Sequence, residues 1–393
     1  MSVQGSEGSE GSEGLLGSEG SEGSEGSEGS EARASSYVPA GTLITTREGV
    51  VGAWKLPGEL PNYTIRADNL ELWSAPVRKR ILEAELLTGI SYDEGNDGQI
   101  SVEYRDRHVT HLETLIHMIR PLPADFRLQL EFVNNYAALR WERAEEIRVQ
   151  KTRILPYLGS VGVLHLDRMP YTLELLRLVL AVTSVIYMRI KHGLACRRPV
   201  EYSPQIQPMI ATPGHGSLPS GHGTEAFVVA FVFDALVRHA MKSVTSAGPD
   251  PVPNVPDLDP DNPFSKQLLR IAERITINRQ VAGVHFPVDS VAGMVLAQSL
   301  SEFYIARFFK GKPKARAFNG RGFRGDFSYA RVLHNDYTRG PPEPGMPETD
   351  GSDDIIHVEE RDIDVKHSPL LKHMWKEAVF ECMRVIGPRG ASS

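Results

Sequence analysis

The sequence predicts an all-α fold in which a helical bundle forms the body of the chain. Beyond Arg105, apolar residues recur at helical spacing over long segments, and Gly- and Pro-rich breaks separate these segments. The predicted helices cover roughly 105–119, 124–150, 169–193, 222–242, 264–282 and 288–309. A last helix is predicted from Pro369, with Ser368 as its N-cap, to Gly387.

The chain divides into four predicted segments. Residues 1–36 contain a Gly-Ser-Glu repeat, which buries too little apolar surface to fold and is expected to be a disordered acidic leader. Residues 37–104 are predicted to be an irregular N-terminal wrap with one helical stretch near 77–87. Residues 105–312 form the predicted helical domain, in which 243–263 reads as a loop, and 313–393 form a C-terminal extension that ends in the final helix.

Charge and hydropathy exclude several classes of protein. The formal net charge is -7, but eight Glu and no Lys or Arg lie in the first 31 residues, so the rest of the chain carries +1. A nearly neutral body does not predict a nucleic-acid partner. The most apolar window, 178–188, is too short to span a bilayer, and the N-terminus lacks the features of a secretory signal. A cytoplasmic protein is therefore expected.

Two cations leave the end of a predicted helix in the segment from Lys191 to Pro199. Pro199 disfavours a helical conformation at Arg198, so the chain turns there. An ammonium and a planar guanidinium suit a tetrahedral oxyanion, because one supplies a point charge and the other a fork of donors. The alternative is a helix C-terminus whose basic residues only complement the helix dipole.

A second group lies immediately before the apolar run 226–237. Ser220, Gly221 and His222 stand where a helix begins, and backbone N–H groups at a helix N-terminus bind anions. His222 can exchange a proton with such an anion near neutral pH. The alternative is an ordinary Ser N-cap beside an incidental His.

The third group surrounds the start of the next helix, where Pro287 fits the first helical position. His285 precedes that helix, and Asp289 in its first turn can accept a hydrogen bond from one ring nitrogen and thereby fix the tautomer. The other nitrogen is then free to bond phosphorus or vanadium. Arg279 adds a cation from the preceding helix, although a solvated Arg and a structural His remain the alternative.

Together the three groups resemble the signature of the type 2 phosphatidic acid phosphatase and vanadium haloperoxidase superfamily. That signature reads Lys, six residues, Arg-Pro; then Pro-Ser-Gly-His; then Ser-Arg, five residues, His, three residues, Asp. This chain has Lys191 with Arg198-Pro199, then Pro219-Ser220-Gly221-His222, then Arg279, His285 and Asp289. Asn278 departs from the signature, since the family usually has Ser there. The resemblance covers about 190–290 by motif and about 105–310 by helical pattern.

The resemblance implies a catalytic helical bundle of the acid phosphatase and vanadium haloperoxidase type, with the site at helix ends. His285 would bond the vanadium of vanadate, or attack phosphorus in a phosphatase. Lys191, Arg198, Ser220, Gly221 and Arg279 would hold the equatorial oxygens, and His222 would be the acid–base group. His215 resembles the second histidine of bromoperoxidases, which lies near the halide; the alternative is a loop His bonded to backbone.

The primary expectation is a vanadate-dependent haloperoxidase that oxidises bromide or iodide with hydrogen peroxide, with Lys191 polarising the peroxide. Its cofactor would be vanadate, and its partners would be small molecules, with no nucleic acid and no membrane span. The alternative is a phosphatase that hydrolyses phosphomonoesters or diphosphates through a phosphohistidine, and a third is a non-catalytic binding protein. Five-coordinate vanadate has the shape of the phosphoryl-transfer transition state, so one cage serves both reactions. Halide preference and oligomeric state, including a homo-oligomer, stay open.

Overall fold

The computed structural model describes residues 40–386, with gaps at 56–57, 59–69, 71, 97, 107–110, 163, 246–257, 310 and 341–353. The predicted leader at 1–36 lies outside the described residues, and so does most of the predicted loop over 243–263.

The described chain contains helices throughout and strands near both ends. The first part has α1 (Ala40–Val51), α2 (Ala75–Leu87), β1 (Ile90–Gly95), β2 (Gln99–Tyr104) and β3 (Glu113–Ile119). The middle has α3 (Pro123–Tyr136), α4 (Arg140–Gln150), α5 (Leu155–Gly162), α6 (Pro170–Leu194), α7 (Pro199–Tyr202), α8 (Gly221–Thr245), α9 (Pro263–Val281) and α10 (Pro287–Phe308). The last part has β4 (Lys314–Asn319), α11 (Tyr329–Leu333), β5 (Ile356–Asp362) and α12 (Pro369–Ile386).

Helix α8 is the centre of the helical core. Its residues 226–237 are all buried, as expected for a helix that is apolar on every side. It packs against α6, α9, α10 and α12. The predicted helices at 169–193, 222–242, 264–282 and 288–309 correspond to α6, α8, α9 and α10, and the prediction at 124–150 is divided between α3 and α4 by a short 3-10 turn.

The described chain also contains a five-stranded sheet, so the all-α prediction holds for the helical core and not for the whole fold. Its strands lie in the order β1-β2-β3-β4-β5, and all neighbours are antiparallel except β3 and β4. The sheet joins strands from three of the four predicted segments, and it packs on α10 and α6. The fold is therefore a helical core with a mixed sheet on one side.

Two predictions about local structure were wrong. The helix predicted at 105–119 is largely strand β3. Its seven residues, four of them apolar, fit a strand as well as a helix, and pairing with β2 and β4 decides between them. The segment 37–104 is not irregular throughout, since β1 and β2 form a hairpin there. The Asp97-Gly98 pair in the sequence is a common hairpin turn and could have indicated it.

The sheet holds the end of α6, where Lys191 lies. Arg120, next to the end of β3, donates from Nη1 to the carbonyl of Leu194 at 3.1 Å. A Cβ at Gly193 would lie 2.7 Å from the side chain of Ile100, so α6 and β2 are in close contact at this point. The strands thus position one of the predicted site residues.

Helix α12 attaches to the N-terminus of α6. The Glu381 carboxylate accepts hydrogen bonds from the backbone N–H groups of Tyr171 and Thr172 at 2.9 and 2.7 Å, and from the Thr172 hydroxyl at 2.8 Å. The first N–H groups of a helix have no acceptor within the helix, so Glu381 supplies one. A carboxylate there also complements the helix dipole.

Replacing Glu381 should destabilise the fold. We expect Glu381→Ala to lower the free energy of unfolding by about 1–3 kcal/mol, because it leaves buried donors without acceptors. Urea denaturation measures this change. Arg384→Ala, an exposed position on the same helix, is the control and should change the value by less than about 0.5 kcal/mol. Equal effects from the two variants would contradict the assignment.

Candidate active site

Lys191 brings an ammonium group into the interior from the last turn of α6. Its Nζ donates to the carbonyls of Gly216 and Ser217 at 2.9 and 3.0 Å, and the residue is 2% exposed. Burial holds the pKa of Lys191 well below its usual range, and the nearby Arg198 lowers it further. Because an ammonium has three N–H donors, the two carbonyls leave one for a ligand.

Arg198 connects the loop after α6 to the segment before α10. Its Nε donates to the carbonyl of His215 at 3.0 Å, and its Nη1 donates to the carbonyl of Val284 at 2.7 Å. The same Nη1 lies 3.0 Å from Nε2 of His285. Arg198 has an extended backbone, as the following proline predicts, and its N–H donates to Glu201 at 2.6 Å.

The N-terminus of α8 lies against α10. Ser220 is the residue before the helix, and its Oγ accepts the N–H of Gly223 at 3.3 Å. The Ser220 N–H donates to the carbonyl of Asp289 at 2.9 Å. A Cβ at Gly293 would lie only 2.9 Å from the Ser220 carbonyl, so this approach requires glycine. Ser220 is therefore an N-cap, and its hydroxyl can still donate to an anion.

His222 is held by a backbone carbonyl. Its Nε2 lies 3.1 Å from the carbonyl oxygen of Lys151. A carbonyl only accepts, so Nε2 carries the hydrogen and Nδ1 is the nitrogen that can accept a proton. Burial lowers the pKa of His222 to about 3, and Arg279 contributes to the lowering. The ring is therefore neutral at physiological pH.

Arg279 lies in the last turn of α9 and is 1% exposed. Its Nη2 donates to the carbonyl of Ile147 at 3.1 Å. Ile147 belongs to the last turn of α4, and Lys151, which bonds His222, directly follows that helix. The C-terminal end of α4 thus faces two of the predicted site residues with its carbonyl groups.

Both ring nitrogens of His285 have defined partners. Nδ1 lies 2.9 Å from Oδ2 of Asp289, and Nε2 faces the Arg198 guanidinium. Because a guanidinium only donates, Nε2 must carry the lone pair, and Nδ1–H donates to the carboxylate. Burial holds the pKa of His285 well below its usual value, with Arg198 and Lys191 contributing. The structure therefore contains a neutral imidazole whose Nε2 lone pair accepts a hydrogen bond from Arg198 and can bond an electrophile when that donor turns to a bound anion.

The carboxylate beneath His285 is also held in place. Oδ2 of Asp289 accepts the N–H of Phe286 at 2.9 Å, and Oδ1 lies 3.4 Å from the Ser217 hydroxyl. Burial raises the pKa of Asp289 to about 6, so the group is ionised at neutral pH. An ionised Asp289 keeps the proton of His285 on Nδ1.

The buried side chains give the site a net positive charge. Three cations, Lys191, Arg198 and Arg279, lie within the same group of helix ends as Asp289 and Glu225. Burial raises the pKa of Glu225 to about 7, so this carboxyl is only partly ionised at neutral pH. The excess of cationic donors, the N-terminus of α8 and the Nε2 lone pair fit an oxyanion whose central atom accepts a ligand.

Comparison with protein families assigns the region that carries these residues. Residues 173–311 match the PAP2 superfamily. The match includes the helix ends that carry the site residues, from Lys191 to Asp289. Members of that superfamily are generally enzymes, either phosphatases or haloperoxidases. A search of curated proteins found no match.

The matched PAP2 region contains every residue that the sequence predicted for the site, and the structure brings them together. His215 is also there: its Nδ1 lies 3.1 Å from Nη2 of Arg198 and 3.1 Å from the carbonyl of Gly216. The alternative of a loop His bonded to backbone therefore describes part of its surroundings. Within the described chain, no helix is both long and apolar enough to cross a bilayer.

Several residues around the site were not predicted. Tyr187 donates to Glu225 at 2.8 Å, beside Lys191, and Ser217 contacts Asp289. The spacing of Tyr187 and Lys191 on one face of α6 could have indicated the first contact. The local sequence could not indicate the contacts from α4. Ile147 and Lys151 make these contacts with backbone carbonyls, which every residue type has.

Binding of an oxyanion should take up protons. Burial and the neighbouring cations lower the pKa of His222 and His285; a bound anion would offset the cations and raise both values. We therefore expect proton uptake on binding at about pH 5, which lies above the pKa of about 3 that His222 has without the anion. Calorimetry with sulfate, which has no titratable proton at that pH, measures it in buffers of different ionisation enthalpy.

The control variants separate the site from the rest of the protein. His222→Gln should reduce the uptake, whereas His192→Gln, at an exposed position, should leave it unchanged. Sulfate binding with no proton uptake, or with proton release, would show that the two histidines do not respond to the anion.

Proposed function

We propose that this chain is a vanadate-dependent haloperoxidase that oxidises bromide or iodide with hydrogen peroxide. The observation that carries the proposal is His285, whose Nδ1–H is bonded to Asp289 and whose Nε2 lone pair faces the buried Arg198. A neutral imidazole directed at a cluster of cations suits an anion with an electrophilic central atom.

The donors match the shape and charge of vanadate. Nε2 of His285 would bond the vanadium atom, and the single orientation of the ring follows from Asp289 and Arg198. Donors to the oxygens of vanadate would be Lys191, Arg198, Arg279, the Ser220 hydroxyl and the backbone N–H of Gly221. When bound, vanadate would supply the Lewis-acidic centre that activates hydrogen peroxide.

The remaining groups account for proton and charge movement. Halide oxidation converts peroxide, halide and one proton into hypohalous acid and water, so the site must accept and deliver protons. Nδ1 of the neutral His222 can take a proton from hydrogen peroxide, and it can return that proton later. The ammonium of Lys191 supplies a positive charge that polarises the peroxide oxygen.

The burial of the residues that form the oxyanion site favours small reactants. Lys191, Arg198 and Arg279 are at most 2% exposed and His285 is 4% exposed, whereas His222 and His215 are half-buried. The two histidines are therefore the more exposed edge of the site, and a reactant would approach from that edge. Peroxide and halide ions fit such an approach more easily than a bulky phosphate ester.

A phosphatase is the second candidate, because the same observation supports it. The lone pair on Nε2 of His285 can attack phosphorus, and the cations stabilise the charge on the transferred oxygens. His222 would then protonate the leaving group. Hydrolysis of a chromogenic phosphomonoester that vanadate inhibits, in protein inert to peroxide and halide, would favour this candidate.

The peroxidase proposal predicts vanadate-dependent bromination. Bromination of an activated diketone should require orthovanadate, peroxide and bromide. Asp289→Asn should lower the bromination rate about 10–100-fold, because His285 would no longer be held in one tautomer. His285→Ala should lose the rate entirely. The measurement is the absorbance of the diketone, with bound vanadium determined in each variant.

His192→Ala serves as the matched histidine control, since His192 is exposed at the end of α6 and should leave the rate unchanged. No turnover in the wild-type protein, or full turnover in His285→Ala, would rule out the proposal.

A further inference from the structure

Asn278 stands where the superfamily signature usually has Ser, and it connects α9 to α4. Its Nδ2 donates to Oε1 of Glu146 at 2.9 Å and to Oε1 of Gln150 at 2.8 Å. Its Oδ1 accepts from Nη1 of Arg143 at 3.2 Å. Asn278 and Gln150 are fully buried. A single amide therefore bonds three side chains along one face of α4.

The orientation of this amide is unambiguous. A carboxylate only accepts and a guanidinium only donates, so Nδ2 must face Glu146 and Oδ1 must face Arg143. Arg274, one turn earlier on α9, adds three contacts of 2.7–2.9 Å to Glu146. The contact between α9 and this part of α4 is thus a network of matched donors and acceptors.

Helix α4 has little apolar surface to hold it in place. Its buried residues are Ile147 and Gln150, and Trp141 is 96% exposed. At its N-terminus, Arg140 donates to the carbonyls of Val281, Ile206 and Gln207. Near its C-terminus, Ile147 packs in a small apolar cluster with Val281 and Val284, and the polar network around Asn278 lies beside it. The last turn of α4 is therefore held by one small apolar contact and by the hydrogen bonds of Asn278.

That last turn and the residue after it bond two site residues. The carbonyl of Ile147 accepts from Arg279, and the carbonyl of Lys151 accepts from Nε2 of His222. Carbonyl groups at a helix C-terminus carry partial negative charge, which suits a guanidinium and an imidazole N–H. A shift of α4 by a fraction of a helical turn would break both bonds.

We propose that Asn278 is a positioning residue, which fixes α4 so that its C-terminal carbonyls orient Arg279 and select the Nε2–H tautomer of His222. The inference rests on the proposed oxyanion site, but it does not depend on whether that site serves peroxidase or phosphatase chemistry. A serine at 278 is too short to reach Glu146, Gln150 and Arg143 together. This chain therefore uses a larger amide where α4 needs an anchor.

The test compares Asn278→Ser with Arg148→Ala, a change on the exposed side of the same helix. The Kd for sulfate and for orthovanadate is measured by calorimetry. The tautomer of His222 is read from ring nitrogen shifts in protein labelled with ¹⁵N-histidine, and the spectrum of His222→Ala assigns the signals. Thermal unfolding of each variant shows whether it is folded.

In the wild-type protein and in Arg148→Ala, His222 should show the Nε2–H tautomer. In Asn278→Ser, we expect a mixture of both tautomers and about tenfold weaker binding of the oxyanion, which corresponds to about 1.4 kcal/mol. A purely structural role would lower the melting temperature without changing the His222 signals. Unchanged His222 signals in the folded variant would overturn the proposal.

A second variant covers the case in which Asn278→Ser does not fold. Gln150→Met keeps the length of the side chain but removes the acceptor for Nδ2 of Asn278, and it should shift the His222 signals in the same direction. If the wild-type protein binds neither sulfate nor orthovanadate, the proposed oxyanion site fails. The His222 signals still decide the role of Asn278 in that case, because they are read without a ligand.

Discussion

The burial of three cations at one end of a helical bundle is the constraint on which the rest of the structure depends. An unpaired buried charge is costly, so Lys191, Arg198 and Arg279 each need acceptors close by. Most of these acceptors are backbone carbonyls, from residues before α8, before α10 and at the end of α4. Carbonyls satisfy the N–H groups without cancelling the charge. The three cations therefore outnumber the two carboxyl groups beside them, Asp289 and Glu225, and the site attracts an anion.

Helix termini supply these carbonyl acceptors, and they also place the donors that face them. The end of α6 places Lys191, the start of α8 places Ser220 and His222, and the start of α10 places Asp289 under His285. Only at its termini does a helix have backbone groups without partners inside the helix. Packing α6, α9 and α10 around the apolar α8 brings several termini together. The bundle thus creates a polar site without interrupting its core.

Short-range signals explain why much of this site could be predicted from sequence. Pro199 and Pro287 mark where the chain turns, and the four-residue spacing of His285 and Asp289 places the carboxylate beside Nδ1. Long-range contacts could not be read in this way. Strand β3 depends on pairing with β4, about 200 residues away, and Asn278 acquires its role from α4. The pairing of β3 with β4 and the α4 contacts were missed because their cause lies in segments distant along the chain.

The positive charge of the site also determines the order in which the oxyanion binds and His222 is protonated. His222 and His285 are neutral because burial and the cations oppose a further positive charge. An oxyanion removes that opposition only after it has entered, so protonation of His222 follows anion binding. Before that point Nε2 of His285 keeps its lone pair, which is the form that can bond a central atom. The cations therefore serve two purposes: they attract the oxyanion, and they keep the nucleophilic nitrogen unprotonated until the oxyanion is in place.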